Sequence, residues 1–305
     1  RFVRAVGTVF FGDPFERGMD ITVADLIDAA FEKRAKVSDI PSTIGDGILF
    51  GGETIESGEG TGGSWSIPVG GAAISVAAEV LIDRAKNLAA HLLETSPADI
   101  EYFDGNFSVV GTDRSLSWKS LALSAHDPKH LPRDMAPGLK GKGEFIPSNH
   151  TFPNGCHLCE IELDPETGTV EIIRYIVVHD FGVVLNPLLL EGQIHGGVAQ
   201  GLGQAVFEQT HYDSEGQFKS GSFLDYNIPR AGDLPMIEFI SNPTPCPANP
   251  LGFKGCGEAG AAGAPPAVVN AVVDALKDYG INHIDMPLTP EKIWTAIRTA
   301  THQNH

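Results

Sequence analysis

Apolar positions along the chain follow two periods, one helical and one alternating. Residues Asp20 to Lys36 repeat at helical spacing, with Ile21, Leu26, Ile27, Ala30 and Phe31 as the stripe. A longer amphipathic run, AAISVAAEVLIDRAKNLAAHLLE from Ala72 to Glu94, predicts a helix that stops ahead of Pro97. IEYFDGNFSVV alternates around Asp104-Gly105 and predicts a hairpin. LSWKSLALSA predicts a short helix, after which Asp127 to Asn149 loses all periodicity and fills with Pro, Gly and charge. That stretch is the predicted connection between two lobes, residues 1–130 and 131–305.

Beyond it the period shortens. GCHLCEIELD and TVEIIRYIVVHD predict two strands joined by the turn PETG. NPLLLEGQIHGGVAQGLGQAVFEQ predicts a helix of small residues, followed by strands around HYDSEGQFKSGSF and MIEFIS. In GAPPAVVNAVVDAL, Pro265 and Pro266 suit a first helical turn, where a missing N–H costs little. TPEKIWTAI predicts a last helix with Thr289 as N-cap and Pro290 at its first position. Strands and helices do not alternate as βαβ units, so the class is α+β, mixed sheets with packed helices.

Composition narrows the function. The chain has 305 residues, 42% hydrophobic and 20% charged, as expected of a soluble globular protein. No uninterrupted apolar run reaches the ~18 residues of a membrane span. A net charge of −18 argues against a nucleic-acid partner, since phosphate binding needs clustered Lys and Arg. It leaves room for a small anionic cofactor held by backbone N–H groups. Cys156 and Cys159 form a C-x-x-C, but within an alternating run they fall on opposite faces, so neither zinc nor a disulfide is expected there. Few cysteines and no secretion signal favour the cytoplasm.

Three glycine-rich segments, Gly58–Ala73, Gly192–Ala205 and Gly252–Pro265, stand at or near helix N-termini. Small residues there permit close approach of a ligand or of another backbone. Neither a Walker loop nor a Rossmann fingerprint is present. Gln193, Gln200 and Gln204 share about one helix face and bring neutral donors and acceptors to it. Glu258 is a lone carboxylate among glycines, either a solvated loop acid or a base with space around it.

GTGGSWSIPVGGAA, GCHLCEIELDPETGTVEIIRYIVVHDFGVVLNP, EGQIHGGVAQGLGQA, SFLDYNIPRAGDLP and NPLGFKGCGEAGAAGAPPAVVNAVVDAL occur in order. Together they resemble the molybdenum-cofactor-binding large subunit of the xanthine dehydrogenase and aerobic carbon monoxide dehydrogenase family of molybdenum hydroxylases. The likeness runs from about Gly58 to the C-terminus and implies two lobes of the molybdopterin-binding type. It implies Glu258 as the active-site glutamate beside molybdenum. Gly62, Gly63, Ser64 and Ser66 then belong to the loop that approaches metal and pterin, and Gln193, Gln200 and Gly257 to the cofactor-lining segments. Molybdenum would be held through the pterin, in bacteria the cytosine dinucleotide form, rather than by protein ligands. Iron–sulfur clusters and FAD would sit on partner subunits or domains and carry electrons away from a small-molecule substrate.

Trp65 stands where members of this family commonly carry Arg, no iron–sulfur cysteine pattern occurs, and the first ~45 residues match nothing in it. The resemblance makes the chain the C-terminal half of such a subunit, with the N-terminal half as a partner. A second reading stays open: a folded scaffold lobe that holds no metal without that other half.

Overall fold

The computed structural model describes residues 3–11, as backbone, and 62–303. The helix predicted for residues 20–36, and the glycine-rich stretch as far as residue 61, lie outside the described residues. In chain order the elements are β1 (Val3–Phe11), a π-type turn (Ser66–Gly71) that leads directly into α1 (Ala72–Leu92), β2 (Ile100–Phe103), β3 (Asn106–Val109), β4 (Ser115–Ser117) and α2 (Trp118–Ser124). Then come β5 (Asn154–Leu163), β6 (Val170–Asp180), α3 (Pro187–Leu202), β7 (Ile237–Ser241), α4 (Ala259–Leu276) and α5 (Pro290–Gln303). Mixed sheets with packed helices make this an α+β protein.

The chain divides into two compact units. Of the described residues, the first takes 3–11, 151–246 and 253–303, and the second takes 62–150 and 247–252. This differs from a division at residue 130. β1 pairs antiparallel with β5 from Val3↔Leu163 to Phe11↔Gly155, which puts the N-terminal strand in the sheet of the later unit. The stretch expected to link the lobes packs with the earlier one. A Cβ on Gly141 would lie 2.2 Å from Ala77 O and one on Gly143 2.3 Å from Ala73 O, so this backbone is pressed onto α1. Arg84 adds a hydrogen bond to Ala136 O at 2.7 Å.

In the first unit the sheet order is β1-β5-β6-β7, antiparallel except for the parallel β6–β7 pair. Inward residues of β5 are His157, Cys159, Ile161 and Leu163, while Cys156 lies on the other face, as odd spacing requires. A bulge near Glu160/Ile161 explains why Ile172 and Tyr175 of β6 both point inward although three residues apart. α4 lies against β1 and β5, and α3 lies against α4. The core joins Ile161, Leu163, Tyr175 and Val177 of the sheet to Ile194, Val198 and Leu202 of α3 and Val268 and Val272 of α4. Asn186 caps α3 by accepting the Leu189 N–H at 3.1 Å, with Pro187 at the first helical position. Thr289 caps α5 in the same way, through Lys292 N at 3.4 Å.

In the second unit β2, β3 and β4 form an antiparallel sheet packed on α1 and α2 around Leu88, Phe107 and Leu121. Asp104 and Gly105 both have positive φ, 49° and 72°, the backbone of a type I′ hairpin turn.

Two sequence expectations change. The HYDSEGQFKSGSF stretch holds only an isolated Tyr212↔Phe218 bridge around a Gly216 turn, not full strands. Among the described residues two helices, Ser66–Leu92 and Ala259–Tyr279, are long and apolar enough by length and composition to cross a membrane. Acidic residues within the first (Glu79, Asp83) hid this from a search for unbroken apolar runs. More than half of the second is buried within the unit.

Candidate functional site

α4 begins six residues ahead of the prolines expected to start it. Ala262 N donates to Glu258 O at 2.9 Å, so the first helical bond closes on Glu258, and Pro265 and Pro266 lie inside the helix. The run Ala-Gly-Ala-Ala-Gly-Ala before them carries nothing larger than a methyl. That lets the turn lie flat on α3. A Cβ added at Gly197 would sit 3.0 Å from both Ala261 N and Gly260 Cα, and one at Gly201 would sit 2.7 Å from Ala264 Cβ and 2.9 Å from Pro265 Cδ. Tertiary packing through glycine thus extends the helix across Gly260, Gly263 and the two prolines, the residues here of low helix propensity.

Glu258 therefore occupies the N-cap of α4, with its side chain exposed and making no cap hydrogen bond. The N-terminus of a helix offers backbone N–H groups and positive partial charge at the same end. Gln193, from 64 residues earlier, reaches this loop: its Nε2 donates to Gly257 O at 2.8 Å. The structure thus brings Gln193, Gly257 and Glu258 together. Gln200 and Gln204 are exposed further along the same helical run.

The outward face of α3 has the shape a flat polar group needs. Cβ atoms built on Gly192 and Gly196 meet nothing within 4 Å, and Gly196 stands between Gln193 and Gln200 on one helix face. Amide side chains on a glycine-bare surface can donate to and accept from a ring system lying against them. These residues fit an organic cofactor rather than a bare ion. Among the described residues no group of three or more His, Cys, Asp or Glu is placed to hold a metal.

Gly62, Gly63, Ser64 and Ser66 belong to the second unit. Gly63 and Ser64 take positive φ, 53° and 59°, in a tight turn closed by Trp65 N to Gly62 O at 3.1 Å. A Cβ on exposed Gly62 would meet nothing within 4 Å. Trp65 packs its ring 5.4 Å from that of His150. Left-handed Ser64 followed by right-handed Trp65 (φ −89°, ψ −7°) brings successive backbone amides to one side, the kind of concavity that binds anionic oxygens.

Sequence reasoning missed the support beneath Glu258. Lys254 is turned inward. Its side chain is 0% exposed and its Nζ lies 2.9 Å from Asp180 Oδ2. Under α4, His157 Nδ1 meets Tyr175 Oη at 2.8 Å and its Nε2 meets His179 Nε2 at 3.1 Å. A Cβ on Gly263 would stand 2.4 Å from His157 Nε2, so the helix rests directly on this imidazole. Burial, and then the neighbouring His179, lowers His157 to about 3. Burial lowers His179 to about 4, opposed by Asp180. Both rings are neutral at pH 7, and burial pushes the Tyr175 phenol up. A signal was available: His157 and His179 share the parity of the inward residues of their strands.

A family profile described as molybdopterin cofactor-binding domain matches residues 18–235. The match begins ahead of the segment in which the resemblance was recognised and ends ahead of Glu258. The chain is 36% identical over 246 residues to the carbon monoxide dehydrogenase large chain of Hydrogenophaga pseudoflava, covering 80% of this chain and 30% of that one. It is 39% identical over 243 residues to the nicotine 6-hydroxylase large subunit of Paenarthrobacter nicotinovorans, covering 79% and 30%. Reconstituted CO dehydrogenase from Oligotropha carboxidovorans superposes with a TM-score of 0.79 at 26% identity, covering 99% of this chain and 41% of that one. The chain thus spans about 30% of the length of each of these two curated relatives.

Proposed function

The chain belongs to the molybdopterin cofactor-binding domain family, and from that membership we propose that it forms part of a molybdenum hydroxylase acting on a small aldehyde, N-heteroaromatic or related substrate. The observation that carries this reading is the convergence of Gln193 on the Glu258 loop, beside a helix face bare of side chains at Gly192 and Gly196. The names of the relatives, which refer to carbon monoxide and to nicotine, support the reaction class.

Molybdenum held by a pterin, in this reading its cytosine dinucleotide form, supplies a Lewis acid and a two-electron acceptor. The chain's own residues do the rest. Gln193 and Gln200 hydrogen-bond the cofactor along the open face of α3, and the Gly62–Ser66 turn offers backbone N–H groups and hydroxyls to its polar edge. Hydroxylation of a C–H by water releases two protons and two electrons. Glu258 takes a proton at a carboxylate oxygen as the water-derived oxygen becomes nucleophilic, which requires approach to about 3 Å, directly or through one water. The bare neighbours Gly257, Ala259 and Gly260 leave room for that approach. Electrons leave through iron–sulfur and flavin partners, and the N-terminal half of the molybdenum subunit completes the site. A net charge of −18 fits a small-molecule substrate and no nucleic acid, and we place the assembly in the cytoplasm.

The test is Glu258→Gln in the complete enzyme, with kcat normalised to molybdenum content. Loss of a base is expected to cost about 10²–10⁴ in rate with the cofactor retained. Glu101→Gln, on the exposed edge of β2, is expected to change nothing. Turnover of the Glu258 variant within about threefold of the parent at full molybdenum would remove Glu258 from this role.

A further inference from the structure

Glu258 is carried by a segment with little to hold itself in place. Between Lys254 and Ala259 the chain reads Gly-Cys-Gly-Glu, and glycine gives up more conformational freedom on ordering than any other residue. The segment is tied from outside at both ends. On one side Gly257 O accepts from Gln193 Nε2 at 2.8 Å, and Glu258 O accepts the first N–H bond of α4. On the other, Lys254 N donates to Phe181 O at 2.9 Å, next to the antiparallel Gly182↔Phe253 bridge.

Asp180 makes that second tie a junction. One carboxylate oxygen accepts from Lys254 Nζ at 2.9 Å, and the other accepts the Gly182 and Thr244 N–H groups, each at 2.8 Å. A single side chain at the end of β6 therefore fixes the turn after it, the segment after β7 and the approach to Glu258. Apolar residues could have packed the same space, and replacing a buried ion pair by them is often neutral or stabilising. What they could not supply is a fixed register. Apolar contact tolerates sliding, whereas a carboxylate with both oxygens engaged accepts the ammonium at one place.

We propose that the Lys254–Asp180 ion pair positions Glu258 for proton transfer, acting through the intervening Gly-Cys-Gly backbone. The proposal rests on the reading of Glu258 as base. Lys254 and Asp180 are positioning residues and touch no reacting atom.

The test uses the complete enzyme and the doubly neutral variant Asp180→Asn/Lys254→Met, in which the amide can still accept both backbone N–H groups. Expected is a kcat lower by about 10²-fold, the cost of about 1 Å of misplacement, with KM and molybdenum content unchanged. Amides of residues 255–258 exchange with deuterium at least about tenfold faster, and those of β5 and β6 do not change. Combining it with Glu258→Gln gives an enzyme within about threefold of Glu258→Gln alone, because both changes act through one carboxylate. Parental exchange with kcat within about threefold of the parent overturns the positioning role, even where Glu258→Gln inactivates. An active Glu258→Gln enzyme instead overturns the base assignment. Should the double variant not accumulate, the parent decides. The Lys254 amide is expected to be as protected as those of β6, and exchange as fast as in the Asp104-Gly105 turn overturns the proposal.

Discussion

The two faces of α3 are built from the same residue type for opposite ends. Gly197 and Gly201 face inward, where a methyl would collide with Gly260, Ala261, Ala264 or Pro265 of α4. Gly192 and Gly196 face outward, where a methyl would meet nothing within 4 Å. On the inner face glycine lets two helices touch, and that contact draws the first turn of α4 forward until Glu258 becomes its N-cap. On the outer face no packing within the described residues accounts for glycine, and its helix penalty goes unopposed. The difference separates glycines that the fold requires from glycines for which the described residues give no packing reason.

Exchanging glycine for alanine on each face tests that separation, with stability read as thermal unfolding of enzyme prepared without molybdenum. Gly201→Ala puts a Cβ 2.7 Å from Ala264 Cβ and 3.0 Å from Ala261 O, neither of which is a flexible side-chain end. Overpacking of this kind is expected to cost about 1–3 kcal/mol. Gly196→Ala is expected to gain up to about 1 kcal/mol, the helix preference of Ala over Gly. The same variant should bind less molybdenum cofactor, because the methyl stands on the open face. A Gly196→Ala enzyme with full molybdenum content would break the comparison, and so would an unaffected Gly201→Ala.

Features that depend on near neighbours in sequence were legible. The alternation of β5 and β6 placed Cys156 and Cys159 on opposite faces, and Thr289-Pro290 announced α5. The start of α4 was not legible, because a run of Ala and Gly has no amphipathic stripe to read. The prolines gave a local signal that contact with α3 overrides. Asp180 and Lys254 lie 74 residues apart and look like ordinary charges until the turn after β6 meets the loop before α4. Family resemblance named Glu258, Gln193 and Gly257, and the structure adds the hydrogen bond from Gln193 to Gly257, next to Glu258. The Gly62–Ser66 turn and Gln200 keep their cofactor role as proposals.

The inner face also sharpens the comparison through pH, with a smaller effect. Burial holds His157 at about 3 and His179 at about 4, both below the ordinary 6.5. A lowered histidine pKa means that folding releases protons. The stabilisation is therefore whole above about 6.5 and is lost as pH falls toward 4 and then 3. Exchange of the imidazole C2 hydrogens, followed by mass spectrometry, should give midpoints below about 5 for both rings. Midpoints near the ordinary value would mean that α4 does not rest on a neutral pair.

The central claim is that the outward side of this helix pair, with Glu258 at its edge, is the side the molybdenum cofactor occupies. Anomalous diffraction from the complete enzyme at the molybdenum absorption edge locates the metal without reference to any homologue. The account predicts a single peak within hydrogen-bonding reach of the Glu258 carboxylate or one bridging water away, about 3 Å per step. A peak beyond that reach, with Glu258 facing solvent, would contradict it.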